Sequence, residues 1–394
     1  MTVREVVVLS AMRSAVGSFG GSLSAIEPAD LGGVVMREAV ARSGVDPTRI
    51  HYVTVGNCIP TESRYPYVAR VAAIQAGLPL DSVAMAVNRL CTSGLQAIVS
   101  TAQAIMLGDC AYGIGGGVEV MSRSAYLSAA MRHGARMGNT TMVDALMAVL
   151  TDPFGVGHMG ITAENLAQKW KISRAEQDAL ALMSQQRAAR AIREGRFESQ
   201  IVPVELSPRS GGGAFKVDEH CNPDTTLDSL AAMTPVFRKG GTVTAGNASG
   251  INDGAAFLVL AERGEAEAAG HKPMARMVAY GIAGVANDIM GEGPIPASRM
   301  ALERAGLTAH DMDVVESNEA FSVQALAVMR ALDLDPDKTN PNGGAVALGH
   351  PVSASGAIVA TKALHELERI QGRYALVTLC AGGGQGLAVI FERL

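Results

Sequence analysis

The 394-residue chain is short of aromatics, of excess positive charge, of paired cysteines and of long apolar runs, and each shortage closes off a class of protein. Aromatic residues make up 4% of the chain against 44 glycines. That composition of close backbone packing and tight turns fits a layered α/β enzyme better than a β-sandwich. A net charge of -5 and a pI near 5.9 leave no basic stripe. No nucleic-acid partner is therefore expected, and an anionic ligand has to be held by local attraction. The cysteines, Cys58, Cys91, Cys110, Cys221 and Cys380, are odd in number, scattered and without a CxxC pair. This argues against a disulfide framework and a zinc site alike, so no metal is expected. The opening "MTVREVVVLSAMRSAVGSFGG" carries only a short apolar run, and no stretch approaches the roughly 18 apolar residues of a membrane span. A soluble cytoplasmic protein with no membrane partner is the expectation.

What is there is apolar sequence in alternating short and helical patterns. At 48% hydrophobic the chain can bury a large core. Runs such as "VREVVVLS" and "IHYVTVGN" alternate with helical patterns such as "ADLGGVVMREAVARSG", which indicates βα units around buried sheets. Two stretches look alike. "AVARSGV", "HYVTVGN", the Cys91 segment and "CAYGIGGGVEVM" are echoed by "ALERAGL", "MDVVESNEAF", "ALGHPVSASGAIVATKAL" and "YALVTLCAGGGQGLAVIFERL". Gly44 to Asn57 is 13 residues and Gly306 to Asn318 is 12; Asn57 to Cys91 is 34 and Asn318 to His350 is 32. An internal duplication with approximate twofold packing would place Cys91 and His350 in equivalent turns and bring them together. The expected division is residues 1–120 with 251–270 as a first half, 121–250 as an inserted loop domain, and 271–394 as a second half. The insert carries Met131, Met137, Met142, Met147 and Met159, which read either as adaptable packing or as the lining of an acyl pocket.

Four residues stand out for chemistry. Cys91, in "AVNRLCTSGLQAI", precedes an amphipathic helix whose N-terminus would stabilise a thiolate; the alternative is a buried core thiol. His350 sits among glycines and serines in "NPNGGAVALGHPVSASGA", where a base near a cysteine would activate it. Cys380 ends an apolar run before "AGGGQG", whose backbone N–H groups offer an oxyanion hole. Asn318, in "SNEAFS", is either a turn residue or an amide aimed at a ligand. A thiolate with an oxyanion hole means acyl transfer, and a second thiol that is no disulfide partner points to proton transfer at carbon. The combination is a Claisen condensation or its reverse.

The segments "VNRLCTSGLQAI", "GGGVEVMS", "GHMGITAENLA", "TVTAGNASGINDGA", "NEAF", "NPNGGAVALGHPVSASGA" and "CAGGGQG" resemble, in order and spacing, the thiolases, most closely the bacterial biosynthetic acetyl-CoA acetyltransferases and β-ketothiolases. The resemblance runs from about residue 3 to 393. It implies a five-layered αβαβα fold of two similar halves with an inserted loop domain, and a homotetramer. It implies Cys91 as the acyl-accepting nucleophile, His350 as its activator, and His350 with a water held by Asn318 around the second substrate's oxygen. Cys380 would move the α-carbon proton, and the N–H groups of Cys91 and Gly382 would form the other oxyanion hole. The resemblance places coenzyme A against Leu150, His158, Met159, Ala245, Ser249, Ala320 and Phe321, with Met290 near the acyl pocket. Acetyl-CoA and other acyl-CoAs are then substrates, and no cofactor is bound permanently.

Three positions depart from the family pattern. Asn222 stands where relatives usually have an arginine against the adenine, Ser353 replaces a usual glycine, and Thr92 follows Cys91 where glycine, alanine or serine is commoner. The latter two are expected to add bulk at the reacting centre. Within the family the alternative is a degradative broad-chain 3-ketoacyl-CoA thiolase or a propionyl-accepting β-ketothiolase. Outside it stand a non-catalytic acyl-CoA binding protein and a dinucleotide oxidoreductase, the latter prompted by "GIGGGVE", which lacks the GxGxxG spacing.

Overall fold

Runs of β-branched and small residues form strands, most of them buried, and these alternate with helices. In a computed structural model, which describes residues 4–208 and 211–394, the first half comprises β1 (Val6–Ser14), α1 (Pro28–Ser43), β2 (Tyr52–Gly56), α2 (Val68–Gln75), β3 (Val83–Val87), α3 (Ser93–Leu107) and β4 (Tyr112–Val120). A long excursion carrying α4 (Met159–Trp170) and α5 (Arg174–Arg193) precedes β5 (Asn252–Glu262). The second half follows: β6 (Ala275–Gly284), α6 (Pro294–Ala305), β7 (Val314–Ser317), α7 (Ser322–Leu332), α8 (Ser355–Ile370), β8 (Tyr374–Ala381) and β9 (Gln385–Arg393). Val3, where the resemblance starts, and Arg209 and Ser210 of "SPRSGGGAFKVDEHCNPDTT" lie outside the described residues.

These strands form one hydrogen-bonded series, β7-β8-β9-β6-β1-β5-β4-β2-β3, which reads nearly the same from either end. Its midpoint is the antiparallel β1–β6 contact, Val7 on Arg276 and Val8 on Ala275. The duplication is visible residue by residue. Gly44 and Gly306 close α1 and α6 at φ 69° and 66°, Ser93 and Ser355 open α3 and α8, and Tyr112 and Tyr374 open β4 and β8; each second residue lies 262 positions after the first. Even the irregularities agree, with register shifts at Val8/Ser10 in β1 and at Met277/Ala279 in β6. This offset corrects one detail of the sequence reading. The Cys91 and His350 turns are equivalent, but Cys91 itself matches Ser353, and His350 matches Asn88.

The layers follow from the apolar clusters. α1 and α2 cover the outer face of the first half, α6 and α7 that of the second, and α3 and α8 fill the space between the two parts of the sheet. Here α3 meets α8 backbone to backbone. A Cβ on Gly94 would come within 2.7 Å of the Ser353 carbonyl oxygen, and one on Gly356 within 2.4 Å of the Leu95 nitrogen. Only glycine permits that approach, and it is what juxtaposes the turns entering the two helices. The run Leu90–Leu107 also corrects an expectation, since its 18 residues reach a mean hydropathy of 1.3. It is the central helix, mostly buried, and its apolarity serves two interfaces at once. The glycines of "GIGGGVE" lie within β4, where added Cβ atoms would strike Ile98, Ala256 and Ser353; they serve close packing instead of cradling a phosphate.

Between β4 and β5 the methionines behave against the packing expectation. Met131, Met137, Met142 and Met147 are exposed, and of the five named methionines Met159 alone is buried. The excursion is tied to the sheet by Arg13 of β1, whose buried guanidinium holds Asp218 at 2.7 Å and Gln200 at 2.7 Å.

Candidate active site

Cys91 lies in the short turn Leu90–Thr92 that leads into α3. Leu90 has φ 47°, a conformation costly for a branched residue. The turn is held by its own polar groups: the Leu90 N–H donates to Asn88 Oδ1 at 2.9 Å, and Ser93 Oγ accepts from the Arg89 N–H at 2.8 Å while donating to the Leu90 carbonyl at 2.7 Å. The Thr92 hydroxyl turns back to the Arg89 carbonyl.

His350 sits in the matching turn before α8. Its N–H donates to Asn252 Oδ1 at 2.9 Å, and its Nδ1 lies 2.6 Å from Ser355 Oγ. Because Ser355 Oγ already donates to the Pro351 carbonyl at 2.8 Å, it accepts from Nδ1–H, and Nε2 keeps its lone pair. That Nε2 is buried with no partner among the described residues. Burial lowers the imidazole pKa to about 4, so the ring is neutral near pH 7.

Burial also decides the state of the sulfur. The Cys91 thiol is pushed up to about 11, with the N–H groups of Gly382 and of Cys91 itself pulling the other way. Sequence reasoning left two readings, a thiolate stabilised by the helix N-terminus and a buried thiol. The desolvation of a sulfur anion is the larger effect, so the resting group is a thiol. The two N–H groups are nevertheless beside the sulfur, where the resemblance placed an oxyanion hole. Cys380, at the end of β8, is fully buried, and burial together with the Cys91 sulfur drives its pKa far above the ordinary thiol range. Asn318 follows β7 with its N–H on the Thr378 carbonyl at 3.0 Å, and neither atom of its buried amide has a partner among the described residues.

A cavity of about 440 Å³ opens onto this group. Cys91, His350 and Gly382 line it, and so do Leu150, His158, Met159, Ala245, Ser249, Met290, Ala320 and Phe321. Asn318 and Cys380 do not; Cys380 packs behind the wall with Met159, Met290 and Phe321. Sequence reasoning missed Phe237 and His220, which also line the cavity. Phe237 stacks on His158 at 4.8 Å and meets Phe321 edge-on at 6.1 Å. No motif contains Phe237; its one signal was being a phenylalanine in a chain with eight.

The departures fall differently from expectation. Neither Thr92 nor Ser353 lines the cavity, because both hydroxyls fold onto main chain, Ser353 onto the Val118 carbonyl at 3.0 Å. They add no bulk where substrate would sit. Asn222 is exposed, outside the cavity, and its Oδ1 accepts from the Asp224 N–H at 3.1 Å.

Comparison with known proteins gives a consistent picture. The thiolase N-terminal domain family matches residues 6–264 and the thiolase C-terminal domain family residues 271–393. The beta-ketothiolase BktB of Cupriavidus necator is 56% identical over 392 residues, 99% of this chain and 100% of that protein. An acetyl-CoA acetyltransferase of Chromobacterium violaceum is 47% identical over 391 residues, covering 99% and 100%. Among solved structures, human mitochondrial 3-ketoacyl-CoA thiolase in complex with CoA superposes with a TM-score of 0.96 at 43% identity, covering 99% of this chain and 98% of that one. The Bacillus anthracis acetyl-CoA acetyltransferase does so with a TM-score of 0.97 at 44% identity, covering 100% and 99%.

Proposed function

This chain belongs to the thiolase family, and from that premise we propose that it is an acetyl-CoA C-acetyltransferase, condensing two acetyl-CoA to acetoacetyl-CoA and CoA and running the reverse thiolysis of 3-ketoacyl-CoA. The observation that carries the reading is a single cavity in which a neutral imidazole with a free Nε2, the Cys91 sulfur and the Gly382 N–H converge.

Cys91 Sγ attacks the acyl carbonyl as its proton passes to His350 Nε2. The oxygen of the tetrahedral intermediate is received by the N–H groups of Cys91 and Gly382, and CoA leaves with the proton. In the second half-reaction Cys380 passes its thiol proton to His350 Nε2 and, as a thiolate, takes the α-carbon proton of acetyl-CoA; the enolate oxygen faces His350 and Asn318. The carbon then displaces Cys91, and the Cys91 thiolate released at the end takes the proton back from the imidazolium. The buried amide of Asn318 and the bare Nε2, unpartnered among the described residues, each leave a polar group free for the enolate oxygen or for a water. Cys380, resting as a firmly held thiol, is a ready acid for the carbanion released in thiolysis.

Residues 1–120 with 251–270 and 271–394 act as the two catalytic halves, with 121–250 as the loop domain that helps to hold CoA and makes subunit contacts. A cytoplasmic homotetramer is the assembly we propose. The edge strand β3, with Val83 and Met85 exposed, and the exposed methionines of the excursion support self-association. Higher identity to a relative named beta-ketothiolase than to one named acetyl-CoA acetyltransferase favours a β-ketothiolase as the second reading, with propionyl groups as the substrate to test.

The test is thiolysis by pure protein without added metal, across ketoacyl lengths from C4 to C10 and with α-methyl branching. Activity confined to acetoacetyl-CoA supports the acetyl reading. Comparable C5 rates support the propionyl one, and no turnover at any length overturns both.

A further inference from the structure

Glu119, the penultimate residue of β4, is a fully buried carboxylate to which no arginine or lysine is hydrogen-bonded among the described residues. Donors surround it instead. Oε1 accepts from Asn57 Nδ2 at 2.9 Å and the Ile59 N–H at 3.2 Å. Oε2 accepts from Cys58 Sγ at 2.9 Å, the Cys58 N–H at 3.3 Å and the Ser353 N–H at 3.3 Å. Asn57, Cys58 and Ile59 belong to the loop after β2 in the first half, whereas Ser353 belongs to the second half, three residues beyond His350. A second bond reinforces the joint, from Ser353 Oγ to the carbonyl of Val118, the residue before Glu119. The seat is shaped for Ser353 as well: a Cβ on Gly117 would lie 2.4 Å from its carbonyl oxygen.

We propose that Glu119 is a positioning residue for the thiolase reaction, its carboxylate docking the turn that carries His350 onto the half that carries Cys91. A buried carboxylate is costly unless its lone pairs are filled, so the donors from both halves must be in place together. That requirement converts a loose inter-half contact into one defined geometry. The imidazole is thereby held against the sulfur from a residue that touches neither substrate nor the cavity. The inference rests on the roles given above to Cys91 and His350.

The titratable groups facing Glu119 are the thiols of Cys58 and Cys91 and the phenol of Tyr65; Cys91 is faced in addition by Cys380 and His350. Glu119→Gln keeps the shape but turns an NH₂ toward a group of N–H donors, whichever way the amide is placed. We expect kcat for acetoacetyl-CoA thiolysis to fall at least tenfold with the KM for CoA within twofold of wild type. Alkylation of Cys91 by iodoacetamide, near-constant from pH 5 to about 7 while His350 takes the proton, should become proportional to hydroxide over that range. A role in folding alone would leave fewer active molecules with the wild-type pH profile, and that result, or an unchanged kcat, overturns the proposal. Ser353→Ala provides a second reading should Glu119→Gln be insoluble, because it removes one bond of the joint and leaves the carboxylate satisfied. Three- to tenfold lower kcat with a steeper alkylation profile supports the joint, and wild-type values for both refute it. If wild type itself alkylates as described but performs no thiolysis, the proposed function fails while the positioning of the imidazole stands.

Discussion

His350→Asn isolates the step on which the chemistry depends. Asparagine preserves a group near Ser355 Oγ but deletes Nε2, the atom placed to take the Cys91 proton. In the wild type the thiol lies at about 11 and the imidazole at about 4. Moving the proton across that gap of about seven units costs about 9–10 kcal/mol before the products attract one another. A thiolate and an imidazolium in contact recover about 4 kcal/mol at an effective dielectric near 20. About 5–6 kcal/mol remains, so roughly one molecule in 10⁴ holds the reactive ion pair. This fraction does not change with pH between the two pKa values, since the proton is only relocated. In His350→Asn the thiolate must form by losing its proton to solvent, and its fraction climbs tenfold per pH unit, reaching roughly 10⁻⁵ at pH 6 and 10⁻⁴ at pH 7. Iodoacetamide labelling of Cys91, followed by mass spectrometry from pH 5 to 9, reads these fractions. The wild-type profile should be flat from pH 5 to about 7, and the variant's should rise with unit slope throughout, about 100-fold slower at pH 5 and merging with the wild type near neutrality, above which both lose the proton to solvent. Parallel profiles between pH 5 and 7, flat or sloping, would refute the transfer of the proton to His350.

Other outcomes follow from the same geometry. Cys380→Ser should release a full burst of CoA from acetyl-CoA, measured by thiol titration, yet condense at under one hundredth of the wild-type rate, because the missing group acts at carbon and not at the acyl carbonyl. Cys91→Ala should abolish the burst while leaving urea stability within about 1 kcal/mol, since removing one sulfur from the wall of an existing cavity loses little packing. Stability should also report His350. Its folded pKa is depressed, so the unfolded chain binds the extra proton first, and stability present above the unfolded value near 6.5 is lost as pH falls toward 4. Between pH 7 and 5 the wild type should therefore lose about 2 kcal/mol more than His350→Asn in urea titrations. Equal losses would place the imidazole's pKa near its ordinary value. Gly117→Ala forces a Cβ to within 2.4 Å of the Ser353 carbonyl and should cost about 1–3 kcal/mol with a fall in kcat; unchanged kinetics would show the His350 turn to be free to shift.

Much of this molecule was legible in its linear order. Short apolar runs alternating with amphipathic segments specify buried strands and covering helices, because the periodicity of side-chain burial is a local property. The duplication was readable for the same reason, and with it the pairing of the Cys91 and His350 turns. Gly382, His158, Met159, Ala245, Ser249, Ala320 and Phe321 lie in the motif segments, which keep residues at fixed short spacings, and they line one cavity; Leu150 and Met290, outside the motifs, line it too. What the sequence could not decide depends on distance across the fold. The match of Cys91 with Ser353 emerges only from strand register. The exposed methionines and inward-folded Thr92 and Ser353 hydroxyls depend on which surfaces meet. Phe237 reaches the cavity from a segment with no local signature. The protonation of Cys91 was left open by the sequence: the helix N-terminus is written in the chain, but the burial that outweighs it is created only when α3 and α8 cross at Gly94 and Gly356. Residue types and their order determined which groups were available for chemistry. Tertiary packing decided their charge and mutual placement, because desolvation and hydrogen bonding between the halves exist only once both have closed on the same cavity.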